Sequence, residues 1–191
     1  MIIDNKPEKW MFGISLEGIG GGTNDSGGIA LVQDAIIRTS EGDITLQGTG
    51  GIGRDGGNND GMLLNLGALV TSIDGNITLE GNAGGADMTN NNDGIRIQNL
   101  SAIETTGNGS ISLDGTGGNG LNNNNGININ GSDTRITARD GNITLIGDGN
   151  GSGVQNEGVE IASPITSETG DITVNSTDEI HILAPITTET G

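Results

Sequence analysis

The chain has 191 residues, of which 37 are glycine and 1% aromatic, with no cysteine and a formal charge of −18. That charge excludes non-specific nucleic-acid binding, which needs lysine and arginine against phosphate, and the lack of cysteine excludes disulfides, zinc–thiolate sites and thiol catalysis. No apolar run approaches the ~20 residues of a membrane-spanning helix, and the opening segment, interrupted by Lys6-Pro7-Glu8, does not have the form of a secretory signal.

Residues 1–12 differ from everything after them. They hold Lys6 and Lys9 and the only two aromatic residues, Trp10 and Phe12. This segment is expected to be an N-terminal cap whose rings cover the first layer of a stack, since terminal repeats need protection.

From Gly13 to Gly191 the chain repeats. The pentapeptide GNITL at Gly75–Leu79 recurs as GDITL at Gly42–Leu46, GSISL at Gly109–Leu113, GNITL at Gly141–Leu145 and GDITV at Gly170–Val174, with a degenerate GISL at Gly13–Leu16. The leading isoleucines, Ile14, Ile44, Ile77, Ile111, Ile143 and Ile172, are 30, 33, 34, 32 and 29 residues apart. A period near 32 marks a repeat architecture.

Each repeat then carries a second apolar dyad, Gly-φ-x-φ, as in Gly94-Ile95-Arg96-Ile97 and Gly126-Ile127-Asn128-Ile129. A third follows, φ-x-(Thr/Ser/Ala), as in Ile37-Arg38-Thr39 and Ile103-Glu104-Thr105. Alternation with period two predicts strands whose outer residues face inward and whose middle residue faces out. The spacing from second to third dyad is 6 to 9 residues, and from third to the next ITL 7 or 8. From first to second it is 15 to 18 in five coils and 8 in the last, so the length variation sits in one Gly/Asn-rich loop.

Three short strands per repeat, recurring in register, predict an all-β, parallel β-helix (β-solenoid) of about six coils, a single repeat domain over 13–191. At ~4.8 Å per rung the rod would be roughly 29 Å long. The general rule for parallel crossovers favours a right-handed coil. A hairpin sandwich would show turn signals every 8–12 residues but no long identity period. In the loops, asparagine suits left-handed corners and can stack its amides into ladders along the axis.

Chemistry has few candidates. Gly50-Gly51-Ile52-Gly53-Arg54-Asp55 matches the first six positions of the calcium nonapeptide GGxGxDxUx, but Gly56-Gly57-Asn58 lacks its aliphatic residue and the motif occurs once. Asp55, with Asp60 and Asp93 from the same loops, is therefore the calcium candidate; no other cofactor is implied. His181 is the middle residue of its dyad and is expected at the surface. Asp178 and Glu179 are adjacent and would point to opposite faces, so they do not form an acid–base pair. The outward hydroxyls Ser15, Thr45, Thr78, Ser112, Thr144 and Thr173 read as β-branched or small residues on a solvated strand.

The set GDITL/GNITL, GIxI, the ITT-type third dyad, and GTGG at Gly48–Gly51 and Gly115–Gly118 resembles the repeats of filamentous-haemagglutinin-type (two-partner secretion) adhesins over Gly13–Gly191. The coils here are longer than that family's short repeats, and neither its secretion domain nor a signal is present. The resemblance implies a secreted or cell-surface bacterial stalk that displays loops or adhesive regions, and carries over no catalytic residue. The expectation is a non-catalytic structural or adhesive segment with a cell-surface or glycan ligand through its loops and no membrane insertion. Two alternatives stand beside it. One is a subunit that stacks end to end, because the chain stops just before position 193, where the next isoleucine is due. The other is a carbohydrate-binding or polysaccharide-cleaving β-helix, against which stand the missing aromatics and the five arginines beyond the cap.

Overall fold

The computed structural model describes residues 2–5, 13–22, 25–53, 57–86 and 88–189. Within them the chain winds through three parallel sheets, its strands numbered in chain order, and contains no helix. The first sheet is made by the GxITL repeats: β2 (Ile14–Ile19), β5 (Ile44–Thr49), β8 (Ile77–Asn82), β11 (Ile111–Thr116), β14 (Ile143–Asp148) and β17 (Ile172–Ser176). The second holds the Gly-φ-x-φ dyads in β3 (Ile29–Val32), β6 (Met62–Asn65), β9 (Ile95–Gln98), β12 (Ile127–Asn130), β15 (Val159–Ile161) and β18 (Ile180–Ile182). The third holds β1 (Ile2–Asn5), β4 (Ile36–Thr39), β7 (Leu69–Ser72), β10 (Ala102–Thr105), β13 (Arg135–Ala138), β16 (Ile165–Ser167) and β19 (Ile186–Thr188).

Every strand pairs with the strand three further on, in the register the repeats predict. Ile77, Ile111 and Ile143 are direct partners, as are Ile95, Ile127 and Val159, and Val70, Ile103 and Ile136. The inward isoleucines and leucines of the middle coils are fully buried in one continuous column. Within the expected cap, Ile2–Asn5 add a rung to the third sheet, with Ile2 opposite Ile36 and Ile3 opposite Ile37. Trp10 and Phe12, on which the capping expectation rested, lie outside the described residues.

The ITL strands run three residues further than their apolar pattern. In ITLxGx the next inward position is a glycine: Gly48, Gly81, Gly115 or Gly147. Each packs on the glycine that opens the second dyad. A Cβ on Gly48 would stand 2.0 Å from the Gly61 carbonyl oxygen, and one on Gly81 2.1 Å from that of Gly94. Two glycine rows therefore pinch the chain together where the long loop leaves and returns.

The small polar end of the third dyad is buried and turns the corner into the next coil. Ser72 Oγ accepts the Gly75 N–H at 3.0 Å, and Ser167 Oγ accepts that of Gly170 at 2.9 Å while donating to the Gly141 carbonyl at 3.1 Å. At the opposite corner two leucines adopt left-handed backbone, Leu66 (φ 55°) and Leu100 (φ 69°), where other coils place Gln33, Gly67 or Asn99.

Ile111→Asp or Ile143→Asp should unfold the rod, because an unpaired charge in the column costs several kcal/mol, on the order of 5. Replacing the outward Thr144 should leave thermal melting almost unchanged, and equal effects of the two classes would refute the inward/outward assignment. Leu100→Asn should raise the melting temperature by about 2–4 °C, since a left-handed bulky residue costs roughly 1–2 kcal/mol and asparagine tolerates that conformation.

Candidate interaction surface

The long loop between the first and second sheets is an ordered second lobe, stacked coil on coil like the strands. Backbone bonds run across coils, such as Gly50 N–H to the Asn82 carbonyl and Gly117 N–H to that of Asp148, both at 2.8–2.9 Å. Others cross the lobe, such as Gly84 N–H to the Asn59 carbonyl at 2.8 Å. On the return limb a left-handed residue appears at the same place in each of the five coils with a long loop: Asp25, Asn58, Asn91, Asn123 and Gln155, all with φ between 46° and 58°. Asparagine and aspartate bear this conformation better than other side chains.

The residue after that bend points into the lobe and forms a buried amide ladder. Asn59 Nδ2 donates to Asn92 Oδ1 at 2.9 Å, Asn92 Nδ2 to Asn124 Oδ1 at 2.7 Å, and Asn124 Nδ2 to Asn156 Oδ1 at 3.0 Å. The same oxygens accept the backbone N–H groups of Asn59, Asn92 and Asn124. Ser26 ends the row by donating its N–H to Asn59 Oδ1 at 3.1 Å. A buried amide left unpaired costs about 1–3 kcal/mol, so the stack of copies coil on coil helps to satisfy the asparagines of the row. A second ladder runs the opposite way: Asn122 N–H and Val154 N–H donate to Asn90 Oδ1 and Asn122 Oδ1, each at 3.0 Å.

The next row closes the lobe onto the second sheet. Asp93 N–H donates to Asp60 Oδ1, Asn125 N–H to Asp93 Oδ1 and Glu157 N–H to Asn125 Oδ1, at 2.9–3.0 Å. Facing this row are middle residues of the second dyads. Arg96 bonds to Asp60 and Asn58, Asn128 Nδ2 donates to Asp93 Oδ2 at 3.2 Å, and Asn125 Nδ2 donates to Glu160 Oε2 at 3.1 Å. These middle residues were expected to face solvent, yet the Arg96 side chain is only 13% exposed because the lobe folds over it.

Two of the three calcium candidates lie against Arg96. Asp60 and Asp93, 2% and 1% exposed, face its guanidinium. Asp55 lies outside the described residues, among which no group of three or more His, Cys, Asp or Glu side chains could hold a metal ion. His181 is half-buried beside its register partner Glu160. Asp178 and Glu179 are exposed. Three of the described arginines line the third sheet: Arg135 pairs with Glu104, Arg139 lies near Asp140 and Glu168, and Arg38 stands in register between Asp4 and Thr71. Exposed apolar residues on the lobe include Ile52, Met88, Leu121 and Val154.

No family model, curated protein or solved structure matches this chain.

Burial, above all, raises both aspartates of the seam, Asp60 to about 6 and Asp93 to about 7; the neighbouring Asp60 raises Asp93 further, and Arg96 offsets only part of this. The folded pair keeps protons that ordinary carboxylates in the unfolded chain have already released. Its stabilising contribution is therefore complete below the ordinary value of 3.8 and is lost as pH rises through 6 and 7. Asp93→Asn, which puts in this row the residue already present at Asn125, should flatten that loss. The variant should gain on the order of 2 kcal/mol over the parent between pH 5 and pH 8 in denaturant titrations; a parallel shift of both proteins would contradict the assignment.

Proposed function

We propose that this chain is a non-catalytic display segment of a large secreted or cell-surface bacterial exoprotein, with the asparagine-rich lobe as its contact face. The observation that carries this reading is the order of the lobe. A loop read as the variable part of each coil is locked by backbone bonds and a buried amide ladder, so it presents its rim side chains at a fixed pitch. Rigid polar groups in a repeated array suit a multivalent contact, because little ordering entropy is lost on binding. Among the described carboxylates, the buried pair faces Arg96 and is held by backbone amides, which suits a structural role better than proton transfer. The exposed groups on the rim include Asn119, Asn150 and Ser152 around a shallow polar hollow.

The test is binding of the labelled chain to epithelial cells and to a glycan panel, measured by flow cytometry and array. Asn119→Ala combined with Asn150→Ala should lower binding at least severalfold with melting unchanged. Binding that is absent throughout, or indifferent to the rim, would overturn the reading.

A further inference from the structure

The sequence contains several Asn-x-Ser/Thr tripeptides, the acceptor pattern for N-linked sugar, and the structure separates them sharply. Seven lie wholly within the described residues, beginning at Asn76, Asn99, Asn108, Asn130, Asn142, Asn150 and Asn175. Sugar transfer needs the side-chain amide nitrogen as nucleophile and the hydroxyl two residues on, so both must be unengaged and neither may be fully buried. Four fail at the nitrogen. Asn99 Nδ2 donates to Asn65, Asn108 Nδ2 to Asp74, Asn130 Nδ2 to Asn128 and Asn150 Nδ2 to Asn119, at 2.7–3.1 Å. Two of these fail again at the hydroxyl, since Ser101 is fully buried and Ser110 Oγ accepts the Asn142 N–H. Asn175 fails there too, because Thr177 Oγ1 donates to Asp148 at 2.7 Å.

Asn76 and Asn142 remain, both in Asn-Ile-Thr at the start of the GNITL strand. The isoleucine points into the core, so asparagine and threonine share the outward face. Both asparagines are exposed; Thr78 and Thr144 are half-buried on the outer face of the sheet, and neither has a side-chain hydrogen bond among the described residues. The corner ladder uses only their oxygens: Asn76 Oδ1 accepts the Ser110 N–H at 3.0 Å, and Asn142 Oδ1 that of Asp171 at 2.8 Å. A substituent on Nδ2 would leave those bonds intact. The two sites occupy one column two coils apart, roughly 10 Å at the pitch of a parallel stack.

We infer that Asn76 and Asn142 are acceptor sites for N-linked sugar on the folded rod. In the transfer, Nδ2 attacks the anomeric carbon of a sugar activated as a diphosphate ester. The C–N bond forms, the C–O bond to the diphosphate breaks, the diphosphate leaves with the electron pair, and the Nδ2 proton passes to a base of the transferase. The donor is either a nucleoside-diphosphate sugar or a lipid-diphosphate oligosaccharide.

The folded chain should be incubated in two arms, one with a soluble N-glycosyltransferase and a nucleotide sugar, the other with an oligosaccharyltransferase and a lipid-diphosphate oligosaccharide. Intact mass and peptide mapping should show two additions, at Asn76 and Asn142, in at least one arm, and the active arm identifies the donor. Thr78→Val should remove the first and Thr144→Val the second, with melting curves matching the parent, since both residues lie outside the core. No addition in either arm, addition spread evenly over the other tripeptides, or indifference to the valine variants would overturn the inference. The outcome does not depend on whether the chain binds cells, so it and the display reading can fail separately.

Discussion

Every residue in this rod must be compatible with its own counterpart about 4.8 Å above and below. In-register stacking makes a side chain useful when it can serve its copies: an isoleucine by extending an apolar column, a glycine by letting two backbones touch, an asparagine by accepting an N–H from the next coil. The wide use of Asn, Asp and Ser at corners follows from this constraint. Where the backbone bends away from the sheet, its N–H would lack a carbonyl partner, and an unmet buried donor is costly. The column Asp43, Asn76, Ser110, Asn142 and Asp171 answers this at the GxITL corner, each side chain accepting the N–H of its successor.

Much of the fold was legible because the core obeys two periods at once, two residues along each strand and about 32 along the chain. Ile44, Ile77, Ile111 and Ile143 could be assigned to one inward row before any coordinates. What resisted reading was interaction between unlike positions. The x of GxITL is visibly Asp, Asn or Ser, yet its partner is a backbone N–H one coil away, which leaves no side-chain pattern. Gly81 against Gly94 is a contact between two separately repeating glycines, and only geometry shows that they meet. Arg96 was less legible still. Its row reads Ala30, Leu63, Arg96, Asn128, Glu160 and His181, so no repetition advertises the cation that faces Asp60 and Asp93.

The same constraint shapes the functional reading. A solenoid devotes its inward rows to packing and leaves activity to what projects from it. Here the largest projection is itself ordered, with a buried amide ladder on one side and a charged seam on the other, so the lobe behaves as a second wall of the rod. Its rim offers polar groups at a regular interval, and the outer corner column offers amide nitrogens that the fold does not use. Both suit a surface that meets other molecules, and both arise from residues whose oxygen atoms are spent on stacking.

The most direct measurement is native-state hydrogen exchange at the lobe. If the lobe is a stacked wall, the amides of Asn59, Asn92 and Asn124, each donating to the next asparagine, should be protected to an extent comparable with Ile77, Ile111 and Ile143 in the core strands. Exchange of those three asparagine amides at the rate of an open loop, while the isoleucine amides stay protected, would contradict the account.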